Sequence, residues 1–322
     1  MTGDTASRQG TGRRVVAVVS SFRPSTDLVH NARLVAQQVD ELVVVDDGSG
    51  PEHTDVLDAV RAAGAQVVAL PENVGIAAAL NAGLRAADPA PEDLVVTFDQ
   101  DSAVPQGFIA ALVAQWDDAV RAGVPVGMVS PATFAGVPQT IGEPDERGLL
   151  RSREPIQSGS LVSGEVLATA GLLREELFID LVDIEYFLRL QRAGRACLAV
   201  PGLDLPHELG RTYPFTLLGT KVRWRGRNLK LSLSTPFRYY FRARNRVIIN
   251  REYWRSSWRL LARDTAMEVR HLVFVLMYAR PRGAALRVVV RGLRDGLRSR
   301  TGAIPADVAQ TASRISWRID PL

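Results

Sequence analysis

Residues 42–50 read LVVVDDGSG, an apolar, β-branched run that stops abruptly on two carboxylates and two glycines. A short continuous apolar run bounded by turn residues predicts a strand buried on both faces, and Asp-Gly-Ser-Gly predicts the turn that ends it. Working outward, comparable runs lie at VVAVVS (15–20), QVVAL (66–70), LVVTFD (94–99) and VGMVS (126–130). Helical patterns fill the intervals at 27–38, 52–63, 73–86 and 105–122. Strands alternating with crossover helices predict an α/β protein with a mainly parallel, doubly wound sheet. The carboxyl ends of such strands face a common crevice. That rule selects Asp46-Asp47 and Asp99-Gln100-Asp101 as the first candidates for a site.

Further along, 131–160 lacks a clear period and predicts a long irregular connection. Residues 164–173 and 181–193 predict helices, 195–200 (RACLAV) a returning strand, and the body closes near Pro206. The composition, 46% hydrophobic and 23% charged over 322 residues, is that of a folded chain and excludes a wholly disordered, collagen-like or polytopic membrane protein. A single cysteine, Cys197, leaves no intramolecular disulfide or cysteine-cluster metal site and points to a reducing compartment. Residues 1–13 read as a polar tail, and VVAVVS is too short for a signal-peptide core. No uninterrupted apolar window reaches spanning length.

Charge is distributed unevenly. Residues 211–300 hold 22 Lys/Arg against 4 Asp/Glu, leaving 17 against 31 elsewhere. An acidic body therefore carries a basic extension. Residues 236–300 predict arginine-rich amphipathic helices broken at Pro281 and Gly283, with Tyr239, Tyr240, Trp254, Trp258 and Phe274 interleaved.

The acids carry the chemistry. Asp99 and Asp101, two residues apart where a strand becomes a loop, are able to address one ribose and one hard divalent cation; a solvated turn is the competing reading. Asp46 and Asp47 offer acceptors to a nucleobase, or form a β-turn with an Asx cap. Asp183 opens a helix, where an N-cap carboxylate competes with a general base that deprotonates an acceptor hydroxyl. His207 suits Mn²⁺ and tolerates Mg²⁺ beside Asp101, against the default of a satisfied imidazole. A phosphate-binding G-x-x-x-x-G-K-[ST], a G-x-S-x-G elbow and an H-E-x-x-H are absent from the sequence.

In order, VVDDGS, NVGIAAALNAGL, the D-x-D, an acidic helix motif and a histidine resemble the family-2 glycosyltransferases of the GT-A fold. FDQDS (98–102), QSGSLVS (157–163), LFIDLVDIEYFLRL (177–190), HELG (207–210) and PFRYYFRARN (236–245) resemble the bacterial rhamnosyltransferase branch. The resemblance implies a GT-A catalytic domain over 14–210 with a mixed, mainly parallel sheet, a basic helical extension over 211–300 and a tail over 301–322. It implies that Asp46, Asp47, Asn73, Gly75, Asn81 and Asp99 meet the nucleotide, that Asp101 and His207 hold Mg²⁺ or Mn²⁺, and that Ser158 and Gly159 approach the sugar. Asp183 is the implied base, with Glu185 orienting the acceptor or exchanging roles with it. Two positions depart from the pattern: Leu80 replaces a cationic residue before Asn81, and Asp47 replaces the branch's usual Asn.

The implied reaction is inverting, metal-dependent transfer of a sugar, L-rhamnose from dTDP-rhamnose, to a polyprenyl-diphosphate-linked glycan; galactofuranosyl or another hexosyl transfer is the alternative. The basic, aromatic extension suits an anionic membrane surface, which would make the enzyme cytoplasmic and peripheral on the plasma membrane. The same helices would otherwise pack on the body or form a homo-oligomer interface. A nucleic-acid-binding protein is the reading from a different class, disfavoured because the acids cluster where a phosphate backbone would be repelled. A nucleotidyltransferase would need a Gly-rich, basic first loop, and here that loop is SFRPSTD.

Overall fold

The computed structural model describes residues 12–207, 212–214, 216–217, 220–221, 223–224, 227–228 and 230–319; Glu208, Leu209 and Gly210 of the HELG motif lie outside the described residues. The three valines at 43–45 are inaccessible to solvent because their strand, β2 (Glu41–Asp46), is covered on both edges. It pairs in parallel with β1 (Val15–Ser21) and with β3 (Gln66–Ala69). On its other edge β1 pairs in parallel with β4 (Leu94–Asp99). Helices α1 (Asp27–Ala36), α2 (Thr54–Ala62) and α3 (Ile76–Ala87) make the crossovers, and α4 (Phe108–Arg121) follows β4. The register Ser21↔Asp46 and Ser20↔Asp99 brings the ends of β2 and β4 to the same rim of the sheet. The expected alternation is therefore present; α1 starts at Asp27 as expected, and α2, α3 and α4 start two or three residues later than periodicity suggests. Gly75, at φ +91°, delays α3 to Ile76.

Beyond β4 the structure departs from the irregular connection expected at 131–160. β5 runs on from Val126 to Phe134 and is followed by β6 (Val137–Pro138), β7 (Thr140–Ile141), β8 (Leu150–Ser152) and β9 (Ser160–Ser163). These pieces are too short to display a two-residue period, so only their pairing reveals them. β9 inserts antiparallel between β4 and β5, and β10 (Ala196–Leu205) pairs in parallel with β5. The ten-stranded sheet follows the order β3-β2-β1-β4-β9-β5-β10-β8-β7, with β6 on β5. All of the path except β9 and β8 runs in one direction, which is the mixed, mainly parallel sheet flanked by helices expected from the sequence. Helices α5 (Gly164–Ala170) and α6 (Val182–Arg192) separate β9 from β10.

The basic extension forms two long helices. α7 (Arg238–Tyr278) is interrupted at Ser257, whose φ −138° and ψ 29° are not helical, and α8 (Arg282–Leu297) packs against it. A short helix, α9 (Ala306–Ser313), lies against α8. Burial along α7 is uneven. Tyr239 and Tyr240, read from sequence among the interfacial aromatics, are each 2% exposed and sit in a core with α8 and α9. Ile249 and Tyr253 join the core of the sheet domain itself. Trp254 and Trp258 remain exposed. Close approach of α8 to α7 depends on Gly292 and Gly296, whose added Cβ atoms would fall 2.4 Å from the Tyr240 oxygen and 2.6 Å from the Arg244 oxygen.

Candidate active site

The strand ends place the acids. Asp47, just past β2, is 4% exposed, and its carboxylate accepts hydrogen bonds from the amides of Val74 (2.7 Å) and Gly75 (3.0 Å). It thereby ties the end of β2 to the loop that starts α3. Burial pushes its carboxyl above the usual range. Its neighbour Asp46 faces the other way and receives the amide of Ser49 at 3.1 Å together with the Ser49 hydroxyl.

Asp99 closes β4. Its amide donates to the Ser158 hydroxyl at 3.1 Å, and Gln157 donates to its carboxylate. Burial, reinforced by the charges of Asp101 and Asp183, pushes the Asp99 carboxyl up to about 7. Asp101 is exposed on the following turn, and His207 follows β10. Ligand atoms of Asp99, Asp101 and His207 lie within 4.8 Å of one another. His207 Nδ1 is buried, has no hydrogen-bond partner among the described residues and lies 3.7 Å from Asp101 Oδ1. Two hard oxygen donors and one unsatisfied imidazole nitrogen fit Mn²⁺ or Mg²⁺. The charge of Asp101 beside Asp99 also raises the Asp99 carboxyl, a repulsion that a cation would relieve.

Asp183 enters from a separate element, the first turn of α6. One oxygen accepts the Ile184 amide at 2.8 Å. Burial, with the charge of Asp180 adding to it, pushes its carboxyl up to about 6. Asp180 itself is held by Arg238 through contacts of 2.6 and 3.2 Å.

Asp47, Asn73, Gly75, Asp99, Asp101, Asp183 and His207 all line one cavity of about 840 Å³. The other sequence candidates stand behind its wall. Ser158 is fully buried and pairs with Ser102 at 2.7 Å. Gly159 packs beside Leu205 and Phe108. Asn81 is 1% exposed and spends its amide on Leu173 and Glu175 of the segment before α6. Glu185 is 2% exposed, paired with Arg189 at 2.6 Å and accepting the Tyr253 hydroxyl at 2.7 Å.

Sequence reasoning missed Arg238, Arg242, Arg246 and Glu268 of α7 and Ile304 beyond α8, all of which line the cavity. The four-residue spacing of the arginines puts them on one helical face, a signal available in PFRYYFRARN but absorbed into the reading of a lipid-facing surface.

Gly75 joins two sides of this cavity. A Cβ built there would lie 2.6 Å from the Phe178 carbonyl oxygen, and the residue has φ +91°. Gly75→Ala therefore combines backbone strain with a backbone clash and is expected to cost about 2–4 kcal/mol. Urea titration of the purified variant measures it, and a midpoint equal to that of the parent would contradict the contact.

Residues 26–165 match the glycosyl transferase family 2, the segment that contains Asp46, Asp47, Asp99 and Asp101. The chain is 25% identical over 301 residues, 89% of its own length and 97% of the relative's, to the dTDP-rhamnosyl transferase RfbF of Shigella flexneri. Among solved structures it is similar to residues 1–349 of TarS from S. aureus (14% identity, TM-score 0.46, 74% of this chain and 66% of that one). It is also similar to glucosyl-3-phosphoglycerate synthase of Mycobacterium tuberculosis (21% identity, TM-score 0.41, 61% and 72%). The family match over 26–165 and the similarity to a glycosyl transferase along the chain identify a glycosyltransferase. The family-2 match itself is confined to residues 26–165.

Proposed function

We propose that this glycosyltransferase moves L-rhamnose from dTDP-rhamnose to a hydroxyl of a lipid-linked glycan precursor, with inversion at the anomeric carbon. The observation that carries the reading is the convergence of Asp47, Asp99, Asp101, Asp183 and His207 on one cavity of about 840 Å³, within the usual range for small-molecule sites. The similarity to a dTDP-rhamnosyl transferase over 89% of the chain supports the choice of donor.

Asp47 and the 73–75 loop would take the nucleoside, with Asp99 beside the ribose. Asp99, Asp101 and His207 would hold the divalent cation, which supplies charge neutralisation to the departing diphosphate. Asp183 removes the acceptor proton as the hydroxyl oxygen forms its bond to the anomeric carbon and the bond to the diphosphate oxygen breaks. The nucleoside diphosphate leaves carrying the electron pair of the broken bond. Glu185, committed to Arg189 and Tyr253, stays outside this chemistry. Glu185→Gln is expected to change kcat less than about threefold while lowering stability by roughly 2–4 kcal/mol, because Arg189 loses a buried partner. Parallel kinetics and melting curves would separate the two effects.

The acceptor side draws support from α8. Leu286, Val290, Leu293 and Leu297 are 40–65% exposed and recur at one-face helical spacing, with Arg287, Arg294 and Arg298 among them. Such a stripe suits contact with an anionic membrane surface on its cytoplasmic side. Among the described residues no helix is long and apolar enough to cross a membrane.

A thermal-shift screen of nucleotide sugars with Mn²⁺ present tests the reading, since a ligand that binds only the folded state raises Tm. dTDP-rhamnose should give the largest rise. A larger rise with UDP-galactofuranose would reassign the donor, and no response to any nucleotide sugar would overturn the function.

A further inference from the structure

The segment that delivers Asp183 is backbone-strained. Phe178, Asp180 and Leu181 have φ of +67°, +63° and +63°, and none is glycine. Left-handed conformations are unfavourable for such residues and persist only where their surroundings over-determine them. Here the determining contacts come from one helix. The Asn245 side-chain amide donates to the carbonyls of Leu177 (3.0 Å), Ile179 (2.9 Å) and Asp180 (2.8 Å). Arg244 donates to Leu177 O at 2.8 Å and to Gly302 O, and its Nε donates to Asn245 Oδ1 at 2.9 Å. That last bond fixes which way the Asn245 amide points. Both side chains are 0% exposed. Gly302 closes the ring by donating its amide to Glu176 O at 2.8 Å.

We infer that Arg244 and Asn245 are positioning residues for the transfer reaction, holding the 177–181 turn in the strained shape that aims Asp183 into the cavity. Neither lines the cavity itself; they act through the turn. The inference rests on Asp183 being the base. An Arg–Asn pair buried between a long helix and the sheet domain would otherwise serve only to join the two, and the difference is measurable. A joining role lowers Tm and leaves the chemistry of the folded fraction intact. A positioning role lowers kcat of the folded enzyme, because displacement of a reacting group by about 1 Å costs on the order of 100-fold.

Asn245→Asp keeps the shape and replaces the donor by an acceptor facing three carbonyl oxygens. Arg244→Lys keeps the charge and loses the planar fork. Each variant of the full chain is assayed for kcat, donor KM and folded fraction. The expected result is a fall in kcat of about 100-fold for Asn245→Asp, a smaller fall for Arg244→Lys, and donor KM within about threefold of the parent for both. Unchanged kcat with a lower Tm overturns the inference, as does a rise in donor KM that matches the loss of turnover. If Asn245→Asp does not fold, Arg244→Lys decides on the same quantities. Asp183→Asn is assayed alongside: turnover retained in it refutes the base assignment, whereas a dead Asp183→Asn beside a fully active Asn245→Asp refutes only the positioning role.

Discussion

Asp183→Asn is expected to lose transfer by roughly 10²- to 10⁴-fold, the span that a general base contributes, while dTDP-sugar binding changes little because Asp183 belongs to α6 and not to the nucleotide loops. The same variant should be more stable than the parent. The folded-state pKa of Asp183 is raised from 3.8 to about 6, so the folded protein holds this proton more tightly than the unfolded chain does. Ionising Asp183 therefore works against folding: the penalty is absent below about pH 4, grows as pH rises toward 6, and is complete above it. At neutral pH it amounts to about 2–3 kcal/mol by linkage, which Asn does not incur. Melting curves at pH 5 and pH 8 should show the variant's advantage widening at the higher pH. The rate of the parent should rise with pH to a plateau above about 6, at a lower pH once a cation sits beside Asp99. A variant with full turnover, or one destabilised at pH 8, would refute the base assignment.

Removing divalent cations is the second large effect. In enzyme stripped with EDTA, turnover should vanish and return with Mn²⁺ or Mg²⁺. The structural reason is electrostatic: Asp99 and Asp101 lie together beside an imidazole nitrogen with no hydrogen-bond partner among the described residues, and burial, reinforced by the charges of Asp101 and Asp183, raises the Asp99 carboxyl to about 7. A cation stabilises that arrangement, so Mn²⁺ alone should raise Tm before any nucleotide is added. Asp101→Asn and His207→Ala should each weaken the Mn²⁺ midpoint of that rise by roughly 10–100-fold, the range seen when even an outer partner of a metal site is lost. Full activity in the stripped enzyme would remove the metal from the mechanism, and an unchanged midpoint in both variants would move it away from these residues.

Much of the site could be read from order along the chain. The ends of β2 and β4 were identifiable as buried valine runs stopping on aspartates, and parallel pairing through β1 makes those ends neighbours. Asp183 and His207 required the resemblance, since a lone carboxylate at a helix start and a lone histidine each have an ordinary structural use. Asn81 shows the limit of that transfer. It lies within two turns of the 73–75 loop, yet its amide is committed to Leu173 and Glu175, partners 92 and 94 residues away that spacing does not reveal. β9 was hidden for a related reason: four residues, SLVS, carry too little pattern, and their place between β4 and β5 depends on long-range pairing. The arginines of α7 were visible as a basic run, but composition says how much charge a helix carries and not what that charge faces. Only packing shows which residues of α7 are interior, such as Tyr240, Tyr253 and Leu261, and which, such as Trp254 and Trp258, are exposed.

The contact between Gly75 and Phe178 has one more consequence. The loop that would greet the incoming nucleotide and the turn that carries Asp183 meet at Gly75, whose missing side chain leaves room for both the carbonyl oxygen and the ring of Phe178. Neither side of the cavity can shift far here without pushing on the other, so a donor seated against the 73–75 loop would bear on the turn that carries Asp183.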